Sequence, residues 1–345
     1  MTLSLRKAAA FACLFVSACA IQSALADEAL NALCDAVAAS PRDVSRPANV
    51  PGVSYSDVDA KVAVPACEAS TKADPQNARQ IFQYGRALDA DGKLDLALEN
   101  YRKAADEGHV AAANNVGKLL TDGVLAKDFD TAFKYYTISA EHGFDFAMVG
   151  LGHLYRDGNG TMQNEVEALK WYSAAADLGD SDGMHEAARL LDHGQTVKHD
   201  FERANVLFQK AGELGNGAAM NDYAANVFEG HGVAQDKSRG NELFAKAFEL
   251  GNSYGAMNRG TNLLTGDGIV IDKEAGFKLF VDGMKAEGSE IATDIIDKKA
   301  VFWTDRDQIR IIEDMLKWKG LFKGTPDQAF DDESIAALRT IRDGG

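Results

Sequence analysis

The sequence predicts an all-α fold, a right-handed α-solenoid of helix hairpins. The main observation is a glycine that ends successive helix patterns and recurs every 35 or 36 residues: Gly108, Gly143, Gly179, Gly215 and Gly251. A second glycine stands 15 residues after each of these: Gly123, Gly158, Gly194, Gly230 and Gly266. Glycine readily adopts the left-handed conformation that closes a helix, so two glycines per period predict two helices per unit.

The side chains between the glycines predict how the hairpins pack. Small residues recur four and nine positions after the first glycine of each unit, for example Ala112 and Gly117. An aromatic residue stands seven positions before the next such glycine: Tyr101, Tyr136, Tyr172, Phe208 and Phe244. Because small residues let two helix backbones approach closely, we expect each aromatic ring to be a buried knob between neighbouring helices.

Residues 1–26 are predicted to be a signal peptide, because two basic residues precede the apolar run Ala8–Ala20 and the Ala24–Ala26 cleavage motif. This run is too short to be a stable membrane span. In the alternative, Val16–Cys19 resembles a lipoprotein box, and Cys19 becomes the lipid-anchored first residue. The sequence thus predicts an exported bacterial protein, either periplasmic or secreted, or a lipoprotein tethered to the membrane.

Residues 27–75 are predicted to form an N-terminal capping segment. Cys34 and Cys67 are the cysteines beyond the signal peptide, and two cysteines in an oxidising compartment most simply form a disulfide. A reactive or metal-binding thiol pair is the alternative. The stretch Ser40–Asp59 contains three of the six prolines and is predicted to be an ordered loop. Two short helices are expected to flank it, Glu28–Ala39 and Val58–Thr71.

Residues 76–303 are predicted to form the solenoid. Two segments, LGHLYRDGNG from Leu151 to Gly160 and ALKWYSAAADLG from Ala168 to Gly179, contain a Leu-Gly pair, a Gly-x-Gly turn and a Trp-Tyr-x-x-Ala-Ala-x-x-Gly motif. At these residues the sequence resembles the Sel1-like repeat, a relative of the tetratricopeptide repeat. The resemblance implies stacked helix hairpins that bind protein partners and do not catalyse a reaction.

A partner-binding groove is predicted from the first helix of each unit, because first helices line the concave face of such a solenoid. Positions seven and ten after the first glycine of each unit form a polar stripe that we expect to lie in this groove. The polar stripe contains Asn115, Lys118, His153, Glu186, Arg189, Asp222, Asn258 and Thr261. The alternative is an ordinary solvated helix face.

Residues 304–345 break the period and are predicted to form a small helical segment. A helix over Arg306–Trp318, a glycine-containing turn and a helix over Asp332–Ile341 are similar to the small three-helix peptidoglycan-binding domain, with Ile312 and Leu316 in its first apolar stripe. This resemblance implies an alternative function, a cell-wall-associated protein that binds peptidoglycan and recruits an envelope enzyme. A plain C-terminal cap is the other interpretation.

Composition and motifs limit the class of function. The formal net charge of −16 disfavours nucleic acid as a partner. The chain has no metalloprotease, nucleophile-elbow, P-loop or dinucleotide motif, so we predict no enzymatic activity, no cofactor and no metal site. Metal binding by His185, His193 and His199 is the alternative. The predicted function is a protein–protein interaction adaptor or regulator in the bacterial periplasm or envelope.

Overall fold

The structure is a computed structural model that describes residues 26–286, 288–289, 292–297, 306–326 and 329–343. Within these ranges all regular elements are helical, which confirms the all-α prediction. The predicted signal peptide up to residue 25, with Cys19 of the lipoprotein alternative, lies outside the described residues. The chain forms two compact units, of which the first ends at Ala168 and the second begins at Leu169.

The first unit contains an N-terminal segment followed by stacked helix hairpins. Its helices are α1 (26–38), α2 (Ala60–Ala73), α3 (Ala78–Ala90), α4 (Leu94–Asp106), α5 (Val110–Thr121), α6 (Phe129–Glu141), α7 (Asp145–Asp157) and the start of α8 (Glu165–Asp177). In the hairpins α3 packs against α4 and α5 against α6. The two helices predicted for the capping segment correspond to α1 and α2, with ends shifted by one or two residues.

The second unit continues the same arrangement and adds a C-terminal helical segment. Its helices after α8 are α9 (Ser181–His193), α10 (Phe201–Glu213), α11 (Gly217–Glu229), α12 (Lys237–Glu249), α13 (Ser253–Thr265), α14 (Lys273–Lys285), a π-helical turn (Thr293–Asp297), α15 (Arg306–Trp318) and α16 (Asp332–Arg342). Hairpins pair α9 with α10, α11 with α12 and α13 with α14. In the part of the chain that the structure describes, no helix is long and apolar enough to cross a membrane.

Most of the glycines predicted to end helices have a positive φ, from 84° at Gly143 to 100° at Gly215 in the first set. Gly194 is an exception, with φ −60° and ψ 144°, so the prediction of a left-handed residue is wrong there. A Cβ on Gly194 would lie 2.5 Å from the carbonyl oxygen of Leu190. Glycine is therefore required at this position by a close backbone approach to the last turn of α9.

Side-chain caps fix where the first helices begin. The residue after the left-handed glycine is Asp180 in one repeat and Asn216 in the next repeat. Its side-chain oxygen accepts a hydrogen bond from a backbone N–H three residues later. Such caps satisfy donors that the first turn of a helix leaves free. Because the glycine and the capping residue are adjacent, the chain reverses direction at the same point in successive repeats.

The aromatic knobs lie where the pattern predicts. Tyr101, Tyr172 and Phe208 are fully buried, and Tyr136 and Phe244 are nearly so. A Cβ on Gly117 would lie 2.8 Å from ring atoms of Tyr136, so the ring uses the space that glycine leaves on the first helix. This contact explains why bulky and small residues stand close together in each unit.

The C-terminal helices share one hydrophobic core with the last hairpin. Buried residues of α13 and α14 pack in the same cluster as residues from α15, α16 and the turn between them: Met257, Phe280, Met284, Ile312, Met315, Leu316, Phe322, Ile335, Leu338 and Ile341. The apolar stripe of α15, which the sequence predicts, therefore covers the end of the last hairpin.

Candidate partner-binding face

In the first unit the polar stripe is partly engaged by other groups of the protein. Asn115 is half-buried and bonds to the hydroxyl group of Tyr101. Lys118 is exposed, and its Nζ lies 6.0 Å from the centre of the Tyr55 ring. His153 lines a cavity of about 330 Å³, which has the Tyr136 ring as one wall. The stripe here is not a uniformly solvated face.

In the second unit the polar stripe joins neighbouring first helices. Asp222 of α11 lies 2.8 Å from His185 Nε2 of α9. Asn258 of α13 donates to Asn221 Oδ1 of α11 at 3.0 Å and accepts from Gln308 of α15 at 3.1 Å. These contacts bridge helices that are not adjacent in the chain.

The remaining stripe residues of the second unit differ in exposure. Thr261 is buried, and its hydroxyl group donates to the Met257 carbonyl of its own helix, so it does not present a polar group to a partner. Glu186 and Arg189 of α9 lie 3.7 Å apart, and the Arg189 side chain is 52% exposed. Arg189 is thus a stripe residue well placed to contact another molecule.

The polar stripe begins one hairpin earlier than the sequence predicts. A Cβ on Gly85 of α3 would lie 2.7 Å from the Tyr101 ring, and a Cβ on Gly117 of α5 would lie 2.8 Å from the Tyr136 ring. The two glycines therefore occupy equivalent places in successive hairpins. The stripe residues of α5 lie two residues before and one residue after Gly117. The corresponding stripe positions of α3 therefore lie two residues before and one residue after Gly85.

These positions in α3 are Gln83 and Arg86, and both bind the N-terminal segment. The Arg86 guanidinium donates to the carbonyl oxygens of Ala38 at 2.6 Å and Val53 at 3.0 Å, and Gln83 Nε2 donates to Asp35 Oδ1 at 2.8 Å. Burial lowers the pKa of Arg86, and nearby Tyr101 and carboxylates oppose that effect. A first-helix stripe in this protein thus already binds polypeptide through main-chain carbonyls and a carboxylate.

The loop after α1 is also fixed to the start of α5. Ser45 Oγ donates to Asp43 Oδ1 at 2.7 Å, and His109 Nε2 lies 3.3 Å from Asp43 Oδ2 and 3.2 Å from Ser45 Oγ. His109 Nδ1 accepts a hydrogen bond from the Ala112 amide, which places the imidazole proton on Nε2. The ring therefore has no free acceptor for the Ser45 proton, so this Ser-His-Asp group is a structural latch without the geometry of a catalytic triad.

A third contact joins the loop to α7. Arg42 NH1 lies 3.2 Å from Asp145 Oδ2, and the Arg42 guanidinium carbon lies 3.7 Å from the centre of the Phe146 ring. Together with Arg86 and the latch, this contact means that the N-terminal segment runs across α3, α5 and α7, the first helices of three successive hairpins.

The predicted pairing of the two cysteines is confirmed. Cys34 of α1 and Cys67 of α2 form a disulfide, and both residues are fully buried. The thiol-pair alternative is therefore wrong for this structure, because the sulfur atoms are bonded to each other. The disulfide closes the loop that the stripe of α3 holds.

The histidines proposed as alternative metal ligands are held in separate contacts. His185 pairs with Asp222, His193 lies 3.3 Å from Asp192, and His199 Nε2 lies 2.8 Å from the Gly194 carbonyl. Among the described residues there is no group of three or more His, Cys, Asp or Glu side chains that could hold a metal ion.

The fold and the stripe define a helix-hairpin repeat protein whose first helices contact polypeptide. The model of the Sel1 repeat family matches residues 72–109, 110–144, 145–180, 181–216 and 217–252, which is more than half of the chain. The chain belongs to the Sel1 repeat family. Each of these matches ends one residue after a left-handed glycine, in agreement with the predicted period.

Solved structures show the same architecture. A Sel1 repeat protein from Oxalobacter formigenes is 26% identical, with a TM-score of 0.57, over 64% of this chain and 92% of that chain. The protective antigen c5321 of uropathogenic Escherichia coli strains, which displays an SLR fold, is 20% identical with a TM-score of 0.58, over 86% of this chain and 66% of that chain. Among curated protein sequences no significant match was found.

These similarities agree with the α-solenoid of helix hairpins seen in each unit. Sel1 repeats are generally protein–protein interaction modules, and the family is typically a non-catalytic scaffold.

Proposed function

We propose that this protein is a non-enzymatic adaptor or regulator that binds a partner protein through the first-helix stripe, in the periplasm or envelope of a bacterium. The observation that carries the proposal is the binding of the N-terminal segment by Gln83 and Arg86. The equivalent stripe positions of the second unit include Arg189, which is exposed. A face that binds one polypeptide segment by side-chain donors is suited to bind another.

An extracytoplasmic location is part of this proposal. The disulfide between Cys34 and Cys67 supports it, because disulfides persist in oxidising compartments. The sequence of residues 1–26, with its signal-peptide pattern, supports it independently. Whether processing yields a free protein or a lipoprotein anchored at Cys19 is decided by the mass of the mature N-terminal peptide.

The experiment is chemical crosslinking of residues 27–345 in envelope extract, followed by capture, for wild type and for the double variant Glu186→Lys, Arg189→Glu. We expect one defined partner to be captured by wild type and lost by this variant. The matched control is Arg239→Glu with Glu242→Arg, an exposed pair of the same i,i+3 spacing on the second helix α12. Retention of every partner by the stripe variant would contradict the proposal.

Binding of peptidoglycan by residues 304–345 is the second candidate. The buried positions of α15 and α16 favour a capping role, since they form a common core with α13 and α14. A wall-binding role would then depend on exposed groups such as Trp318, which is 44% exposed. Cosedimentation with purified peptidoglycan, for wild type and for Trp318→Ala, tests this candidate without disturbing the core.

A further inference from the structure

Arg189 of α9 occupies the same place in its hairpin as Arg86 does in α3. Arg189 lies ten residues after Gly179, and Lys118 lies ten residues after Gly108. Lys118 directly follows Gly117, and Arg86 directly follows Gly85, the glycine that is equivalent to Gly117. Arg86, Lys118 and Arg189 therefore occupy equivalent positions in their hairpins. Where Arg86 is 4% exposed beneath the N-terminal segment, the side chain of Arg189 is 52% exposed.

We propose that α9 binds an extended basic segment of a partner, with Arg189 donating to its main-chain carbonyls and Glu186 accepting from a lysine or arginine side chain. This inference rests on the proposed function and specifies the chemistry of the same stripe. Guanidinium-to-carbonyl binding of this kind is present in α3, where Arg86 contacts the carbonyl of Ala38 at the end of α1 and the carbonyl of Val53, 15 positions later in the loop. A guanidinium can reach two such carbonyls because its donors form a planar fork.

The charge of the partner segment follows from the residue that accompanies the arginine. In α3 that residue is Gln83, a neutral donor, and it holds the carboxylate of Asp35. In α9 the equivalent residue is Glu186, and the stripe of the next first helix contributes Asp222. Two carboxylates at these positions repel an acidic side chain and attract a basic one, so the preference of the stripe is reversed.

The present contacts of Arg189 leave it available to a partner. Its Nη1 lies 3.7 Å from Glu186 Oε1, which is longer than a hydrogen bond. Because Arg189 is half exposed and the two groups are this far apart, the pair contributes little to stability, so exchanging the Arg189 end of it for contacts with a partner carries a small penalty. Asp222 lies 2.8 Å from His185, and this contact holds the carboxylate in a fixed position.

The test is fluorescence polarisation with residues 27–345 and three labelled peptides made of six Lys-Pro, six Gln-Pro or six Glu-Pro repeats. Proline keeps these peptides extended and leaves their carbonyl oxygens free. We expect the lysine peptide to bind about tenfold more tightly than the glutamine peptide, and the glutamate peptide to bind most weakly.

Two variants separate the roles of the two side chains. Arg189→Lys keeps the charge but loses the fork, and it should weaken binding of the lysine and glutamine peptides by about tenfold each. Glu186→Gln should remove the preference for lysine over glutamine. The control Arg239→Lys, on the second helix α12, should leave every affinity unchanged, and circular dichroism should show that all variants are folded.

Each other result overturns the inference. If Arg189→Lys binds as wild type does, charge alone is recognised and the carbonyl contact is wrong. If no peptide binds at about 1 mM while a protein partner is still captured by crosslinking, the proposed function stands and the extended basic segment is wrong. If neither a peptide nor a partner binds, both are wrong.

Discussion

Arg86 shows at the scale of one residue how the repeat face binds polypeptide. Its guanidinium is buried and donates to two main-chain carbonyls, those of Ala38 and Val53. A lysine has its donors on one compact ammonium group at the end of a flexible stem, and it lacks the planar fork that reaches both carbonyls in this geometry. We expect Arg86→Lys to lower the free energy of unfolding by about 2 kcal/mol, as measured by urea denaturation. Arg239→Lys, at an exposed position, is the control, and equal midpoints for the two variants would contradict this role.

Asp43 gives the stability a specific dependence on pH. Burial raises the pKa of Asp43, but hydrogen bonds with His109 and Ser45 outweigh it and hold the pKa below its ordinary value. Since the folded-state pKa is the lower one, the stabilising contribution is complete above about pH 4, the unfolded value. It is lost as the pH falls through the folded-state pKa.

The corresponding variant is Asp43→Asn, which cannot ionise. It should unfold at lower urea concentration than wild type at pH 7, and the difference should become smaller below about pH 4 because wild type then loses the contribution as well. Urea midpoints measured across this range check the expectation, with exposed Asp314→Asn as the control. A difference that is constant with pH would exclude ionisation of Asp43 as the cause.

At the scale of the helix, glycine in the middle of a first helix is explained by the aromatic ring beside it. Gly117→Ala raises intrinsic helix propensity by about 1 kcal/mol, yet the new Cβ would lie 2.8 Å from three ring atoms of Tyr136. The ring is nearly fully buried and cannot move aside. We therefore expect a net loss of about 1 to 3 kcal/mol in thermal or urea unfolding.

A double-mutant cycle identifies the source of this loss. Tyr136→Leu removes the ring edge, so Gly117→Ala should cost less in that background than in wild type. Additive effects of the two substitutions would mean that the ring is not what Gly117 accommodates.

The helix pattern was predictable because its signals are local. A glycine followed by Asp180 or Asn216 specifies both the end of one helix and the start of the next, and each is visible in the sequence. The prediction of a left-handed conformation is wrong at Gly194. A glycine is needed there because the backbone passes close to the carbonyl of Leu190, and φ is not positive. Spacing alone does not distinguish these two uses of glycine.

The stripe of α3 was missed for a different physical reason. The connection from α3 to α4 spans residues 91–93, whereas that from α5 to α6 spans residues 122–128, so the first hairpin departs from the period of the others. Gln83 and Arg86 therefore do not lie at the regular repeat spacing in the sequence, although they are equivalent to the later stripe residues in space. The contact of Gly85 with Tyr101, equivalent to that of Gly117 with Tyr136, reveals the register.

At the scale of the whole molecule, the N-terminal segment stabilises the first hairpins by linking residues that are distant in sequence. Asp43 contacts His109, and Arg42 contacts Asp145, across separations of 66 and 103 residues. Repeat proteins otherwise depend on contacts between neighbouring units. Such links mean that the beginning of the solenoid cannot open one hairpin at a time without releasing the segment.

The C-terminal end of the second unit is closed by a shared core instead. Leu338 of α16 is fully buried in the cluster that contains Phe280 and Met284 of α14. If α13 to α16 unfold together, Leu338→Ala should speed hydrogen exchange of the α14 amides as well as those of α16, since it destabilises the common core by about 3 kcal/mol.

Val206→Ala on α10, where the side chain is 59% exposed, is the control and should change neither set of rates. Faster exchange confined to α15 and α16 would mean that residues 304–345 unfold as a separate domain. That outcome would favour an independent binding role for this segment, whereas joint exchange of α14 and α16 assigns its buried face to the closure of the repeat stack.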